Sequence, residues 1–297
     1  MGNKIKILLL GGTGFIGRNI LEMLRDKYDF SFPDRTELNL INEQSVRAYF
    51  SKHKFDIVIH AATKPGHRNA PDPSNLLYAD ILMLMNLLAC QNSFGRLIVL
   101  SSGAVYDGRN YRPKMKEDDL GKYIPVDEHG LYRYVSARLF EQMKNVTELR
   151  IFGVFGKYED YAIRFISNSI CKTIFDLPIT IKQNRRFDYL FINDLMPILE
   201  YFIINKGQHT AYNITPDCSY ELLELAQMIK KISGKDLPIV VKDPGIGLEY
   251  TGDNSRLMEQ IDSGVQFTPI EKSIKELFGW YEKNTSVLNK EYLLIDK

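Results

Sequence analysis

Between an apolar strand, Ile5 to Leu10, and an amphipathic helix that starts at Phe15, the chain reads Gly11-Gly12-Thr13-Gly14-Phe15-Ile16-Gly17. Gly11, Gly14 and Gly17 thus recur at every third residue across a strand-to-helix turn. Glycine tolerates positive φ, and without a Cβ it lets a pyrophosphate approach the backbone. The helix beyond offers free N–H groups and the positive end of its dipole to phosphates. A strand before the triplet and a helix after it are the context this reading requires. The turn therefore predicts a nucleotide site built from Gly11, Thr13, Gly14, Phe15, Ile16 and Gly17.

The 297 residues suffice for one large domain or two of ordinary size. Lys plus Arg number 38 against 37 Asp plus Glu, so no basic field exists to attract nucleic acid. Cys90, Cys171 and Cys218 lie far apart, without zinc or redox spacing, which suits a reducing cytosol. No cluster has metal-ligand spacing, so no metal is expected. The N-terminus enters the first strand almost at once, which argues against a signal peptide. The longest apolar stretch, Ile81 to Cys90, is interrupted by Asn86 and is too short to span a bilayer. These features predict a cytoplasmic protein with neither nucleic acid nor membrane as partner.

Further strands are expected at Phe30–Phe32, Ile57–Ala61, Arg96–Ser101 and Glu148–Phe152. They alternate with helices near Phe15–Asp26, Glu43–Phe50, Asn75–Cys90 and Asp127–Lys144. That alternation predicts an α/β fold with a parallel sheet covered on both faces. Past Gly156 the pattern becomes mixed, with helices near Ala162–Ile174 and Tyr220–Ser233. A strand at Asp188–Ile192 is followed by Asn193 or Asp194 as a helix cap. The expected division is a dinucleotide-binding domain at 1–156, with 188–205 returning to it. A smaller mixed α/β substrate lobe takes 157–187 and 206–297. Open α/β sheets bind ligands beyond the carboxyl ends of their strands, here just after residues 10, 61, 101 and 152.

Several segments, in the right order, resemble the extended short-chain dehydrogenase/reductase family. The glycine turn is similar to its Gly-x-x-Gly-x-x-Gly, and Leu100-Ser101-Ser102-Gly103-Ala104-Val105-Tyr106 to its Ser-Ser-x-x-Val-Tyr strand end. Arg150 to Gly156, and Arg186 to Asp194, resemble two later family motifs. Asp253-Asn254-Ser255-Arg256-Leu257 and Phe267 to Tyr281 resemble its closing elements. Arg35-Thr36-Glu37-Leu38-Asn39-Leu40 is most similar to the branch of GDP-L-fucose synthase and dTDP-4-keto-rhamnose reductase. The resemblance implies a Rossmann-type doubly wound parallel sheet, a nucleotide-diphospho-sugar substrate and NADP(H) or NAD(H).

Cofactor preference is set at the end of strand two, where a carboxylate binds a ribose 2′-hydroxyl and an arginine a 2′-phosphate. This chain has Asp34 beside Arg35. By resemblance Arg35 takes the 2′-phosphate position, and Arg18 follows the last glycine nearby; the planar guanidinium suits phosphate. NADP(H) is favoured, with NAD(H) the alternative. The resemblance also places Asn42 near the adenine and the Ala61-Ala62 turn near the nicotinamide side.

The family's chemistry uses Ser or Thr, Tyr and Lys, the last two four residues apart on one helix face. Ser102 fits the serine role. The helix reads Asp127-Glu128-His129-Gly130-Leu131-Tyr132-Arg133-Tyr134-Val135-Ser136-Ala137-Arg138, which lacks the standard Tyr-Lys pair. Aligning Gly130 with the family's glycine puts His129 in the tyrosine slot and Arg133 in the lysine slot. A second register uses Tyr134 and Arg138. The two are five residues apart, roughly 140° around a helix, so both cannot face the nicotinamide. His129 and Arg133 are favoured, because they follow the Asp127 cap where the family places its tyrosine. Histidine can serve as acid or base near neutral pH, its ordinary pKa being about 6.5. Arginine stays charged but differs from lysine in bulk and geometry. The pair predicts altered or weakened redox chemistry.

Candidate substrate contacts are Tyr106, Arg164, Asn168 and Arg186, with Arg185 and Lys182 nearby and His67 and Arg68 at the mouth. Three readings stand open. One is reduction of a 4-keto group on a nucleotide-activated deoxysugar. Another is a nucleotide-sugar 4-epimerase with bound NAD. The third is a catalytically weak dinucleotide-binding sensor or structural protein. Relatives often dimerise through the catalytic helix, and Val135, Leu139, Phe140 and Met143 could give it an apolar face for a homodimer or could equally be core.

Overall fold

The computed structural model describes residues 4–66, 70–262 and 264–295. His67 and Arg68, expected at the site's mouth, lie outside the described residues. The first half runs β1 (Lys6–Leu10), α1 (Phe15–Leu24), β2 (Asp29–Ser31), α2 (Glu43–Lys52), β3 (Phe55–His60), α3 (Leu76–Leu88), β4 (Phe94–Ser102), α4 (Glu128–Phe140) and β5 (Val146–Ile151). The second half adds β6 (Gly153–Phe155), α5 (Phe165–Ile174), β7 (Ile179–Asn184), β8 (Arg186–Phe187), β9 (Tyr189–Phe191) and α6 (Ile192–Ile204). It closes with β10 (Ala211–Ile214), β11 (Tyr220–Glu221), α7 (Leu222–Ser233), β12 (Ile239–Ile246), α8 (Ser255–Ile261), α9 (Ile270–Lys283) and α10 (Glu291–Leu294).

Six strands form one parallel sheet in the order β10-β5-β4-β3-β1-β2. Successive residues of a strand point to opposite faces, so an unbroken apolar run feeds two cores at once. Ile7, Leu9, Ile57 and Ile59 join the core that α6 fills with Leu195, Ile198, Leu199 and Phe202. Leu8, Leu10 and Val58 join the opposite core, with Val46 and Phe50 of α2, Leu84 and Leu87 of α3, and Tyr132 and Phe140 of α4. Chain order reverses around β1, with β2 on one side and β3 on the other. The glycine turn leaves β1 at that switch point, where such sheets open a crevice for ligands. No helix among the described residues is long and apolar enough to cross a membrane.

Three expectations need correction. The strand near 188–192 forms β9 and pairs with β6 in a separate two-stranded sheet. The strand that completes the main sheet is β10, within the segment assigned to the substrate lobe; it pairs with β5. The chain does come back at 192–204, because α6 packs against α1. Asn193 and Asp194 do not cap α6, which starts from Phe191; they lie in its first turn. The Asp194 carboxylate instead accepts from the Thr268 amide and hydroxyl, at 2.8 and 2.7 Å, and pins the segment before α9. On α4, Phe140 is fully buried and cannot serve an outer face, whereas Val135 is exposed.

Small strand pairs build the second lobe: β7 with β12, and β8 with β11. Two isolated bridges, Phe187 with Tyr250 and Met115 with Gly252, bring the segment after β12 over the carboxyl end of the main sheet.

Candidate active site

Each glycine of the turn has its own cause. Gly11 holds φ at +87°, and a Cβ there would come within 2.8 Å of the Ala61 carbonyl carbon and the Ala62 nitrogen. The Ala61-Ala62 turn after β3 is therefore seated on the glycine turn. A Cβ on Gly17 would overlap the Gly11 carbonyl oxygen. Gly14 is different: a Cβ there would meet only that same oxygen, at 3.3 Å. Gly14 is the N-cap of α1 and no side chain caps the helix. The first amides of α1 thus have no side-chain acceptor, and Thr13 and Gly14 are exposed before them. Such an end takes an anion well, and it fits a dinucleotide's pyrophosphate.

At the end of β2, the Asp34 carboxylate folds back on its own turn. One oxygen accepts from the Thr36 amide, the Thr36 hydroxyl and the Glu37 amide, at 2.7, 2.6 and 3.2 Å. These bonds hold its pKa below the ordinary carboxylate value. Arg35 beside it is exposed. Arg18 lies with its guanidinium 4.6 Å from the Tyr158 ring centroid. The Asn42 side-chain oxygen caps α2, accepting from the Ser45 amide at 2.9 Å.

The carboxyl end of β4 and the start of α4 form the floor of the cleft. Ser102 accepts from the Ala104 amide at 3.2 Å, and the Tyr250 hydroxyl lies over the adjoining Gly103, where an added Cβ would come within 2.7 Å of it. Asp127 caps α4, accepting from the Gly130 amide at 2.8 Å. A Cβ on Gly130 would come within 2.7 Å of Pro125 and 3.0 Å of the Ala104 carbonyl, so glycine lets the helix start press on the loop after β4. Arg133 is 6 % exposed and donates to the Leu100 carbonyl at 3.3 Å. His129 is exposed in the first turn of α4. Desolvation, then the charge of Arg133, depress its pKa to about 4, with Arg164 adding to the effect and Asp127 opposing it. Behind Arg133, burial and the same guanidinium drive His60 down to about 3.

The second register is arranged differently. Tyr134 packs against the small cluster of Val105, Tyr106, Met115 and Phe152. Arg138 pairs with Glu141 at 2.7 Å in the last turn of α4.

The expected substrate contacts separate into two groups. Tyr106 is 2 % exposed; its hydroxyl donates to Asn213 at 2.7 Å and accepts from Arg150 at 2.9 Å. It is core, because the strand end it follows is covered by the loop carrying Glu117. Asn168 donates to the Tyr161 and Ala162 carbonyls, both at 3.1 Å, and so holds the entry to α5. Arg186 donates to the Ser219 carbonyl at 2.9 Å and to Glu221 at 3.2 Å, which commits it to β11. Arg164 is exposed and its charge acts on His129, Tyr189 and Tyr250. Its neighbour in this role is Arg185, whose charge acts on Tyr111 and Tyr189. Arg164 is exposed and Arg185 lies over the Phe187 ring at 5.9 Å, whereas Arg186 is engaged by Ser219 and Glu221.

Three residues not foreseen from the sequence gather at the end of β4, Tyr111 and Tyr250 against Gly103 and Asp188 buried behind them. Tyr111 and Tyr250 face each other with ring centroids 4.8 Å apart. Asp188 is fully buried beneath them and accepts from the Gly252 amide at 2.7 Å. Burial lifts its pKa to about 7, against the opposing hydrogen bonds of Thr215 and Gly252. No local pattern marks Tyr250. It follows an exposed strand in irregular chain, and only the bridge to Phe187 brings it over Gly103.

The chain belongs to the NAD dependent epimerase/dehydratase family, whose model matches residues 7–215. GDP-L-colitose synthase of Yersinia pseudotuberculosis is 27% identical, the match covering 89% of this chain and 96% of that protein. Among solved structures, a GDP-L-fucose synthetase from Naegleria fowleri bound to NADP superposes with a TM-score of 0.81 at 17% identity, over 97% of each chain. A GDP-mannoheptose C4 reductase from Campylobacter jejuni with NADP bound superposes at 0.80 and 20% identity, over 95% of this chain and 99% of its own. The Rossmann-type fold expected from the motifs is thereby shared with an enzyme family that acts on nucleotide sugars.

Proposed function

We propose, with membership of the NAD dependent epimerase/dehydratase family as the premise, that the chain uses NADPH to reduce a keto group on a GDP-linked deoxysugar. The observation that carries this reading is the start of α1, free of any side-chain cap, at the end of β1, with Ser102 at the end of β4 in the same parallel sheet and Arg133 donating to the Leu100 carbonyl beside it. The similarity to proteins named for GDP-sugar synthesis or reduction supports the substrate class.

In this reading the amides of Phe15, Ile16 and Gly17 hold the pyrophosphate. Arg35 takes the 2′-phosphate, because the Asp34 oxygen that would compete for a ribose hydroxyl is engaged by Thr36 and Glu37. Arg133, fixed on the Leu100 carbonyl, lies on the nicotinamide-ribose side in place of lysine. When bound, the reduced cofactor supplies the hydride. Ser102 binds the sugar oxygen, and Arg164 and Arg185 face the diphosphate. Along α3 and α4, which pack together, Tyr78, Met85 and Val135 are 67%, 50% and 43% exposed. An apolar set of this kind on two adjacent helices suits a homodimer, to be checked by light scattering of the purified protein.

The test is to follow NADPH absorbance with a panel of GDP-4-keto-6-deoxysugars, using NADH in parallel. Substrate-dependent oxidation that prefers NADPH is expected. Exchange of configuration at the sugar's fourth carbon without net oxidation, by protein that copurifies with NAD, would instead make it an epimerase. Tight NADPH binding with neither reaction would leave a sensor.

A further inference from the structure

We propose that Tyr250 supplies the acid–base hydroxyl that α4 lacks, its phenol standing over Gly103 beside Ser102 and protonating the carbonyl oxygen that Ser102 binds. This rests on the reading of the chain as a nucleotide-sugar reductase. Neither tyrosine of α4 takes that part. Tyr132 is 1 % exposed within the core below the sheet, and Tyr134 lies five residues past His129, roughly 140° around the helix from the start that faces Ser102. His129 stands at the helix start, where desolvation and the charge of Arg133 lower its pKa and favour the neutral imidazole. A neutral imidazole is a poor proton donor to a developing alkoxide.

Tyr250 is held where a donor is needed. Its amide donates to the Arg186 carbonyl at 2.9 Å, and its backbone bridges Phe187. Two residues on, the Gly252 amide donates to buried Asp188 at 2.7 Å. Between them the Thr251 carbonyl accepts from Met115 at 3.0 Å. The ring packs on Phe152 at 5.0 Å and on Tyr111 at 4.8 Å. Those contacts fix the phenol before any ligand arrives, the pre-organisation that proton transfer rewards. The side chain is half-buried, so it is not sealed from the cleft. Desolvation raises its pKa and keeps it protonated; Asp188 and Tyr106 add to that, while Ser102 and Arg164 oppose it. Tyr111, the remaining titratable neighbour, is raised by burial as well.

The step balances as follows. The carbonyl carbon gains hydride from the reduced nicotinamide, and the C=O π pair moves onto oxygen. That oxygen forms a bond to the Tyr250 proton, leaving a phenolate that water reprotonates through the open side of the cleft. In the product complex the positive charge of the oxidised nicotinamide, together with Arg164, favours the phenolate.

The experiment compares wild type, Tyr250→Phe and His129→Gln, with phenylalanine keeping the ring contacts to Phe152 and Tyr111. The first readout needs cofactor but no sugar: ultraviolet difference titration of phenolate with NADP⁺ bound. Of 17 tyrosines, the difference between wild type and Tyr250→Phe isolates one. Its titration is expected to fall by about one pH unit or more when NADP⁺ binds, and to do so in His129→Gln also. The second readout is turnover, where Tyr250→Phe is expected to lose about 10²- to 10⁴-fold in kcat with NADPH affinity unchanged. Turnover of Tyr250→Phe within about threefold of wild type, or a phenol that does not respond to NADP⁺, overturns the proposal. If wild type oxidises NADPH with no sugar, the reductase reading fails, and the titration alone still decides for or against Tyr250.

Discussion

The Asp34 carboxylate accepts from both the amide and the hydroxyl of Thr36, at 2.7 and 2.6 Å. That pair of hydrogen bonds to one neighbour turns Asp34 into a turn-former, with Arg35 exposed beside it at the end of β2. Arg35→Ala is expected to weaken NADPH binding at least tenfold, about 1.4 kcal/mol, with NADH affinity changed less than twofold. Fluorescence titration with both cofactors checks this. Equal losses for the two would remove Arg35 from the 2′-phosphate.

The glycines of the turn separate folding from binding. Gly17→Ala forces a Cβ onto the Gly11 carbonyl, which is backbone and cannot swing aside. A loss of about 2 kcal/mol or more in stability is expected, read as a lowered midpoint in urea unfolding. At Gly14 the added methyl meets only one oxygen at 3.3 Å, so Gly14→Ala is expected to fold within about 1 kcal/mol of wild type. Its NADPH affinity should nevertheless drop, since the methyl stands before the α1 amides.

Tyr106 tests the line between core and site. Tyr106→Phe removes the donor to Asn213 and the acceptor for Arg150, two buried groups. The expected cost is about 1–3 kcal/mol of stability, with the KM for sugar unchanged. A raised KM at unaltered stability would return Tyr106 to the substrate.

Asp188 makes stability depend on pH. Its folded pKa, raised to about 7, lies above the ordinary 3.8, so the unfolded chain ionises first as pH rises. Its stabilising contribution is whole below about pH 4, and up to roughly 4 kcal/mol is lost as pH climbs to 7. Asp188→Asn has no such titration. Its melting temperature relative to wild type is expected to climb between about pH 4 and pH 7 and to level off above that. Parallel curves for the two proteins would show that Asp188 does not carry the charge penalty.

The parallel sheet and the nucleotide turn were legible because both are local. An apolar run such as Ile7 to Leu10 must be covered on two faces, and Gly11, Gly14 and Gly17 announce their turn by spacing alone. The cap at Asp127 followed from the same kind of short-range pattern. The reading failed where a side chain's partner is remote in sequence. Tyr106 and Arg186 carry chemical groups suited to a sugar phosphate, yet Asn213 and Glu221 engage them. The strand that completes the sheet was misplaced for a related reason, since β9 and β10 are both short and apolar and only pairing tells them apart.

The sequence by itself determined that this chain winds an α/β sheet around a nucleotide crevice, and that its catalytic helix lacks the usual tyrosine and lysine. Periodicity and glycine spacing suffice for the first, and residue identity for the second. Only the tertiary structure decided which distant groups meet: Arg186 with Glu221, Tyr106 with Asn213, and the Tyr250 hydroxyl over Gly103. Those meetings depend on bridges between distant segments, Phe187 with Tyr250 and Met115 with Gly252, whose register is set by packing and hydrogen bonding of the whole lobe.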